Sequence, residues 1–255
     1  MTGPRWTQKV GNLSPDEELG NGGLQDHVAV VTNFEELVSR ARQLMTARVR
    51  SILAIAGPPG AGKSTLARAL ASELGYKAMH VGMDGFHFPR AHLASIGRLD
   101  DIGALDTFDA RSFVDLVRQL RTKGTDAVVA PGFDRDLEEP VPNALRIEPV
   151  VNLVILEGNY LLVTEKPWNE LTILFDETWY CDPDDDVRIK NLVLRHRTFG
   201  KSEKEATDWA LGPDQRNADV IAQTRARADV VVRLDHLLSP NDPSEPVPTP
   251  LVENR

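Results

Sequence analysis

Gly57-Pro58-Pro59-Gly60-Ala61-Gly62-Lys63-Ser64 is the stretch on which the fold turns. It matches GxxxxGK[ST], a phosphate-binding loop (P-loop) whose backbone N–H groups point into one concavity. In that pattern the lysine supplies charge to β- and γ-phosphates, and the hydroxyl that follows can hold Mg²⁺. The residues just before it, Ser51 to Ala56 (SILAIA), form a short apolar run suited to a buried parallel strand. After it, Leu66, Ala67, Leu70, Ala71 and Leu74 recur at helical spacing, and Gly75 stands where a C-cap glycine belongs. Strand, glycine-rich loop and helix is the order that anion binding needs, because the helix N-terminus adds its dipole to the site. Gly57 to Ser64 together with Thr65 are therefore expected to bind the phosphates of ATP, with Ser64 a ligand of Mg²⁺.

The chain has 255 residues, enough for one large α/β domain. Its net charge of −9, with no dense basic stripe, disfavours a nucleic-acid partner. A single cysteine, Cys181, excludes an internal disulfide framework and fits a reducing cytoplasm. No apolar run approaches the ~18 residues of a membrane span, so no membrane partner is expected. The N-terminus, MTGPRWTQKV, lacks the apolar core of a signal peptide.

Residues 1–28 are polar and glycine-rich and read as a flexible arm, and 239–255, with four prolines, as a disordered tail. Between them, Phe34, Leu37, Val38, Ala41, Leu44 and Met45 mark a helix with Asn33 and Glu36 spaced like a capping box. Strands are expected at 77–81, 128–134, 150–156, 177–181 and 229–234. Helices are expected at 109–123, stopped by Gly124, at 184–198 and at 214–227. A mobile segment from Gly200 to Gly212 holds a short helix capped by Ser202 and Glu205, while 88–108 and the acidic, proline-punctuated 135–149 read as loops. Strands alternating with helices give a doubly wound parallel sheet of the P-loop NTPase kind, with ligands at the carboxyl ends of its strands.

Asp84 and Glu157 stand just past predicted strands on the P-loop's edge. Phosphoryl transfer needs one group to accept the acceptor hydroxyl's proton and a carboxylate to hold Mg²⁺, so two acids at this edge are the minimal set. The blander readings are an Asp-Gly turn for Asp84 and a loop-edge charge for Glu157. Glu157 ends an apolar strand, which is costly for an acid without a partner.

Met83-Asp84-Gly85-Phe86-His87, Glu157-Gly158-Asn159-Tyr160 and the arginine- and glycine-bearing segment after Tyr180, together with the P-loop, resemble the kinase family that contains pantothenate kinase, uridine kinase and phosphoribulokinase. Leu105 to Asp109 and Pro131 to Arg135 resemble further motifs that line that family's acceptor pocket, and the likeness runs from about 51 to 234. Within the family the chain is most similar to a uridine-kinase-like or sugar-transport-associated branch. The resemblance implies a nucleoside-kinase-like domain over 29–238 with a helical lid at about 195–212. It makes Asp84 the catalytic base and Lys63, Glu157 and Arg195 its catalytic companions, with Glu157 assisting metal or acceptor. Arg197 would bind nucleotide, and His87, Asp109, Asp134, Arg135 and Tyr160 would bind the acceptor. Arg188, Arg195 and Arg197, with Lys201 nearby, are the candidate lid cations; Arg188 and Arg195, seven apart, share a helix face, unless they form a solvated face balanced by Asp184 to Asp186.

The implied reaction is ATP-dependent phosphorylation of a hydroxyl on a small metabolite: a nucleoside, a pantothenate-like acid or a sugar. The alternative is a regulatory or assembly ATPase without an acceptor. The sequence leaves a homodimer open.

Overall fold

The computed structural model describes residues 28–122 and 124–234. Its centre is a six-stranded sheet ordered β1 (Ala29–Val31), β8 (Val230–Val232), β7 (Glu177–Cys181), β2 (Ser51–Ala56), β6 (Leu153–Glu157) and β3 (Ala78–Gly82), every neighbouring pair parallel. A separate antiparallel hairpin joins β4 (Val128–Asp134) to β5 (Glu139–Ile147). Helices α1 (Phe34–Ala47), α2 (Lys63–Leu74), α3 (Arg90–Ser95), α4 (Ala110–Arg121), α5 (Asp185–Thr198), α6 (Glu203–Leu211) and α7 (Pro213–Ala222) connect and cover these strands. Among the described residues no helix is long and apolar enough to cross a membrane.

β2 is buried at every position, and apolar from Ile52 to Ala56, because both of its faces are covered. Ile52, Ala54 and Ala56 face the core shared with Phe113 and Val117 of α4, while Leu53 and Ile55 face the core shared with Leu37 of α1 and Leu70 of α2. Gly75 closes α2 with φ 70° and Ser202 and Glu205 form both hydrogen bonds of a capping box, while at Asn33 only half of the expected box forms: its side chain accepts from Glu35 N and Glu36 N.

Four features differ from the sequence reading. β1 adds a sixth strand ahead of α1, too short at three residues to show a period. The segment 135–149 is not a loop, since 139–147 pairs with β4; its prolines, Pro140 and Pro142, are tolerated because β5 is an edge strand. The segment 88–108 contains α3 and two 3-10 turns. α4 ends at Arg121, before Gly124. The arm at 1–27 and the tail at 239–255 lie outside the described residues.

Asp176 ties the first turn of the sheet to two helices. Its carboxylate accepts from Ile52 N at 2.8 Å and Arg121 Nη1 at 2.5 Å and pairs with Arg48 Nε at 2.9 Å, with 9% of the side chain exposed. Asp176→Ala removes an acceptor shared by three donors, so a loss of roughly 3 kcal/mol is expected, read as a fall in melting temperature of about 6–12 °C by calorimetry.

Candidate active site

Parallel pairing sets the site. Ile55 and Gly82 both pair with Glu157, so the carboxyl ends of β2, β6 and β3 stand level at one edge. The P-loop leaves β2 at that edge and bends through Gly57 (φ 148°), Gly60 (φ 79°) and Gly62 (φ 78°). A Cβ on Gly60 would stand 2.6 Å from Arg188 O, and one on Gly57 2.7 Å from Cys181 O, so the loop is pressed against α5 and β7 by backbone that admits no side chain. Lys63 is buried and donates from Nζ to Pro58 O at 2.9 Å; burial pushes its ammonium below the usual lysine value, opposed by Glu157 and Asp84. Ser64 donates from Oγ to Glu157 Oε1 at 3.1 Å.

Glu157 is buried at the end of β6, and its partners are Ser64 and, at 3.4 Å, His80 Nε2. Burial works against its charge, but His80 and Lys63 prevail and hold the carboxyl below the usual range. The Ser64 hydroxyl and this carboxylate are hard oxygen donors, the kind that Mg²⁺ takes. No trio of His, Cys, Asp or Glu side chains converges among the described residues, so the protein by itself offers no metal cage; this fits a cation that brings phosphate oxygens and water as its remaining ligands.

Asp84 lies in the 3-10 turn Met83–Phe86 that follows β3. A Cβ on Gly85 in that turn would meet Pro131 O at 2.7 Å, so glycine lets the β4–β5 hairpin lie against it. The hairpin delivers Arg135, whose Nη2 donates to Asp84 Oδ2 at 2.9 Å. Burial opposes the Asp84 charge, yet Arg135, with His87, Arg195 and Lys63, holds the carboxyl below the usual range. His87 hydrogen-bonds through Nδ1 to Asp84 O at 3.0 Å, so Nδ1 carries the proton, and its ring stacks on Phe108 at 3.9 Å. Burial pushes its pKa down, against the pull of Asp84.

These groups open into one cavity of about 410 Å³. Lys63, Ser64, Asp84, Glu157 and Arg135 line one part of it, along with His87. The segment 88–103 and the region 195–217, with Arg195, Lys201, Phe199, Trp209 and Asn217, line it as well. Lys201 sits 4.9 Å over the Trp209 ring, His196 contacts Asp214 at 2.7 Å, and Asn217 Nδ2 donates to Gly103 O at 3.2 Å, joining α7 to the 88–103 segment.

Several residues expected at the site lie elsewhere. Asp109 is the N-cap of α4, accepting from Ser112 N at 3.0 Å and Ser112 Oγ at 2.6 Å. Asp134 ends β4, is not among the cavity lining, and accepts from Asp136 N and Leu137 N in the hairpin turn. Tyr160 is buried among Phe108 and Trp168 and donates to Gly103 O at 2.7 Å, so it supports the cavity wall from behind. Arg197 is about half exposed and pairs with Glu203 at 3.3 Å, outside the cavity lining. Thr65 lines a smaller apolar hollow with Ala61, Leu66, Cys181 and Val232. Arg188 does not share a phosphate-facing surface with Arg195: it is buried, donating to Asp185 Oδ1 at 2.8 Å, Gln215 Oε1 at 2.6 Å and Pro59 O at 3.5 Å, and so clamps the P-loop to α5 and α7. Sequence reasoning passed over His80, Trp209 and Asn217; only the chain's crossing of the sheet edge brings them to this place.

The sequence model of the phosphoribulokinase / uridine kinase family matches residues 52–235. A Schizosaccharomyces pombe protein whose name proposes a uridine kinase is 31% identical over 224 residues, which cover 82% of this chain and 94% of that one. An Aspergillus versicolor protein named ATP-dependent kinase-like protein notR′ is 38% identical over 152 residues, 56% of this chain and 88% of that one. Among solved structures, one from Silicibacter sp. TM1040 whose name proposes a fructose transport system kinase has a TM-score of 0.70 at 32% identity, covering 79% of this chain and 99% of the other.

Because Arg135 is the principal group lowering the Asp84 pKa, Arg135→Gln should move the Asp84 titration upward toward the ordinary carboxylate value. Carboxyl ¹³C chemical shifts followed against pH read this directly; an unmoved Asp84 midpoint would show that the pair contributes nothing to its ionisation.

Proposed function

The chain belongs to the phosphoribulokinase / uridine kinase family, and on that premise we propose that it transfers the terminal phosphoryl group of ATP to a hydroxyl of a small metabolite, with Mg²⁺. The observation that carries this reading is the shared cavity. Asp84 and the P-loop lysine face one space that continues past them between the 88–103 segment and α5 to α7, leaving room for an acceptor beside the phosphates. A regulatory ATPase has no use for the second part of that space.

ATP would supply the phosphoryl group, and Mg²⁺, held by Ser64 and Glu157, would supply positive charge to its phosphates. The chain's own residues do the rest by binding and positioning. The P-loop amides and the N-terminus of α2 form an anion cradle, and Ser64 Oγ with the Glu157 carboxylate fits the metal. Lys63 has three N–H donors and commits one to Pro58 O, so its charge is available to phosphate oxygens. Asp84 is held ionised and is thus competent to take the acceptor's hydroxyl proton; Arg135 fixes its position. Arg195, on the cavity wall with no ion pair among the described residues, is free to stabilise charge developing on the transferred group. A nucleoside and a sugar both fit the requirement for a hydroxyl near Asp84, and the names of the relatives point to those two classes.

Lys63→Ala should leave the fold intact and lower turnover roughly 10²–10³-fold, since its charge serves the transition state more than the bound ground state. Steady-state kinetics with folding checked by circular dichroism measures this, and near-normal turnover would remove Lys63 from the reaction. Asp84→Asn tests kinase against ATPase. It should abolish acceptor-stimulated ATP turnover, a loss of ~10²–10⁴-fold, while ATP affinity changes little. Nucleosides, pantothenate, nicotinamide riboside and ketoses form the acceptor screen, with Mg²⁺ dependence followed alongside. If no acceptor stimulates turnover and the variant keeps its basal ATPase, the ATPase reading takes over.

A further inference from the structure

His80 lies in the middle of β3, between Met79 and Val81, in the edge strand that pairs with β6. At this edge His80 is partly buried, with 22% of its side chain exposed, and its ring turns toward the end of β6. Its Nε2 is buried, makes no hydrogen bond among the described residues, and stands 3.4 Å from Glu157 Oε1. An unpartnered buried nitrogen is unfavourable, and the nearest group able to relieve it is that carboxylate.

The register explains the approach. His80 pairs with Ile155 and Gly82 with Glu157, and alternation along the strand puts positions 80 and 82 on one face. Gly82 leaves that face open: a Cβ there would stand 3.0 Å from Glu157 Oε1 and 3.9 Å from His80 Nε2. The missing side chain lets carboxylate and imidazole meet over the glycine. Oε1 also accepts from Ser64 Oγ at 3.1 Å, so one oxygen is addressed from the P-loop on one side and from β3 on the other. Among the described residues Oε2 has no hydrogen bond.

We propose that His80 is a positioning residue that orients the Glu157 carboxylate for the metal–nucleotide complex. The inference rests on the assignment of Ser64 and Glu157 to the metal made above. His80 acts through Glu157, holding one oxygen in place so that the carboxylate keeps a single orientation when the nucleotide arrives. Outer partners of ligating carboxylates act in this way, and their removal typically weakens metal binding about 10–100-fold.

The test uses the full chain with Mn²⁺ as a paramagnetic substitute for Mg²⁺, titrated by electron paramagnetic resonance in the presence of a saturating non-hydrolysable ATP analogue. His80→Leu keeps the volume but not the donor, whereas His80→Gln returns a donor near the position of Nε2. The leucine variant should bind Mn²⁺ about tenfold or more weakly and the glutamine variant within about threefold of wild type, with affinity for metal-free nucleotide equal in all three. Equal Mn²⁺ affinity in His80→Leu, or a glutamine variant as weak as the leucine one, overturns the proposal. Wild-type Mn²⁺ affinity that Glu157→Gln leaves unmoved overturns the metal assignment instead, and this inference falls with it. Should His80→Leu fail to fold, imidazole ¹⁵N spectra of the wild type decide: the His80 Nε2 resonance should differ between the Mg²⁺-free and Mg²⁺-loaded complexes with the ATP analogue. A resonance identical with and without Mg²⁺ overturns it.

Discussion

Parallel pairing of β2 and β3 on either side of β6 is the constraint from which the rest of this molecule follows. Ile55 and Gly82 both pair with Glu157, so the loop after β2, the acid ending β6 and the turn after β3 emerge in one row. Parallel strands all carry their carboxyl ends to the same edge, and each then needs a crossover that covers a face of the sheet. The same covering that buries the core also builds the cavity. α4 and the hairpin close one face, α1 and α2 the other, and α5 to α7 close over the edge itself.

Charge at that edge is balanced within a few ångströms. Asp84 is matched by Arg135, Glu157 by Ser64 and His80, and Asp214 by His196. Buried carboxylates are tolerated only where such partners compensate for lost hydration, and here the partners arrive from different elements: a hairpin, a P-loop helix, a strand and helix α5. Both central acids have pKa values below the usual range although burial opposes it, through Arg135 at Asp84 and through the His80 contact and Lys63 at Glu157. In the proposed reaction a charged base and a charged metal ligand are the two states these acids would have to supply.

Helices α5 and α7 are tied to the P-loop from below as well as across the cavity. Arg188 reaches Pro59 O and Gln215 together, and Gly60 packs under the Arg188 backbone, so α5, α7 and the loop form one connected body. Asn217 and Tyr160 both donate to Gly103 O, linking α7 and the end of β6 to the 88–103 segment. Movement of α7 therefore bears on both the nucleotide loop and the cavity's far wall.

Local chemistry accounts for what could be read along the chain. The P-loop, its strand and helix, the caps at Asn33, Gly75 and Ser202, and the acids at the ends of β3 and β6 each depend on a few neighbouring residues, so they are legible in order. The three-residue β1 and the proline-bearing β5 are not, because what makes them strands is a partner distant in sequence: Val230 to Val232 for the first and β4 for the second. The same division runs through the site. Lys63, Ser64, Asp84 and Glu157 belong to motifs whose spacing speaks for itself, whereas Asp109 and Asp134 sit in equally suggestive motifs and are taken up by local backbone N–H groups. Arg188 and Arg195 share a helix by sequence, but only packing against Pro59 and Gln215 assigns one to the scaffold and leaves the other on the cavity. Sequence by itself determined the phosphate loop and the sheet that carries it, since these rest on backbone geometry and short-range periodicity. Tertiary structure alone decided which charged side chains meet, because a side chain's partner is set by what the fold brings within about 3–4 Å of it and not by its neighbours along the chain.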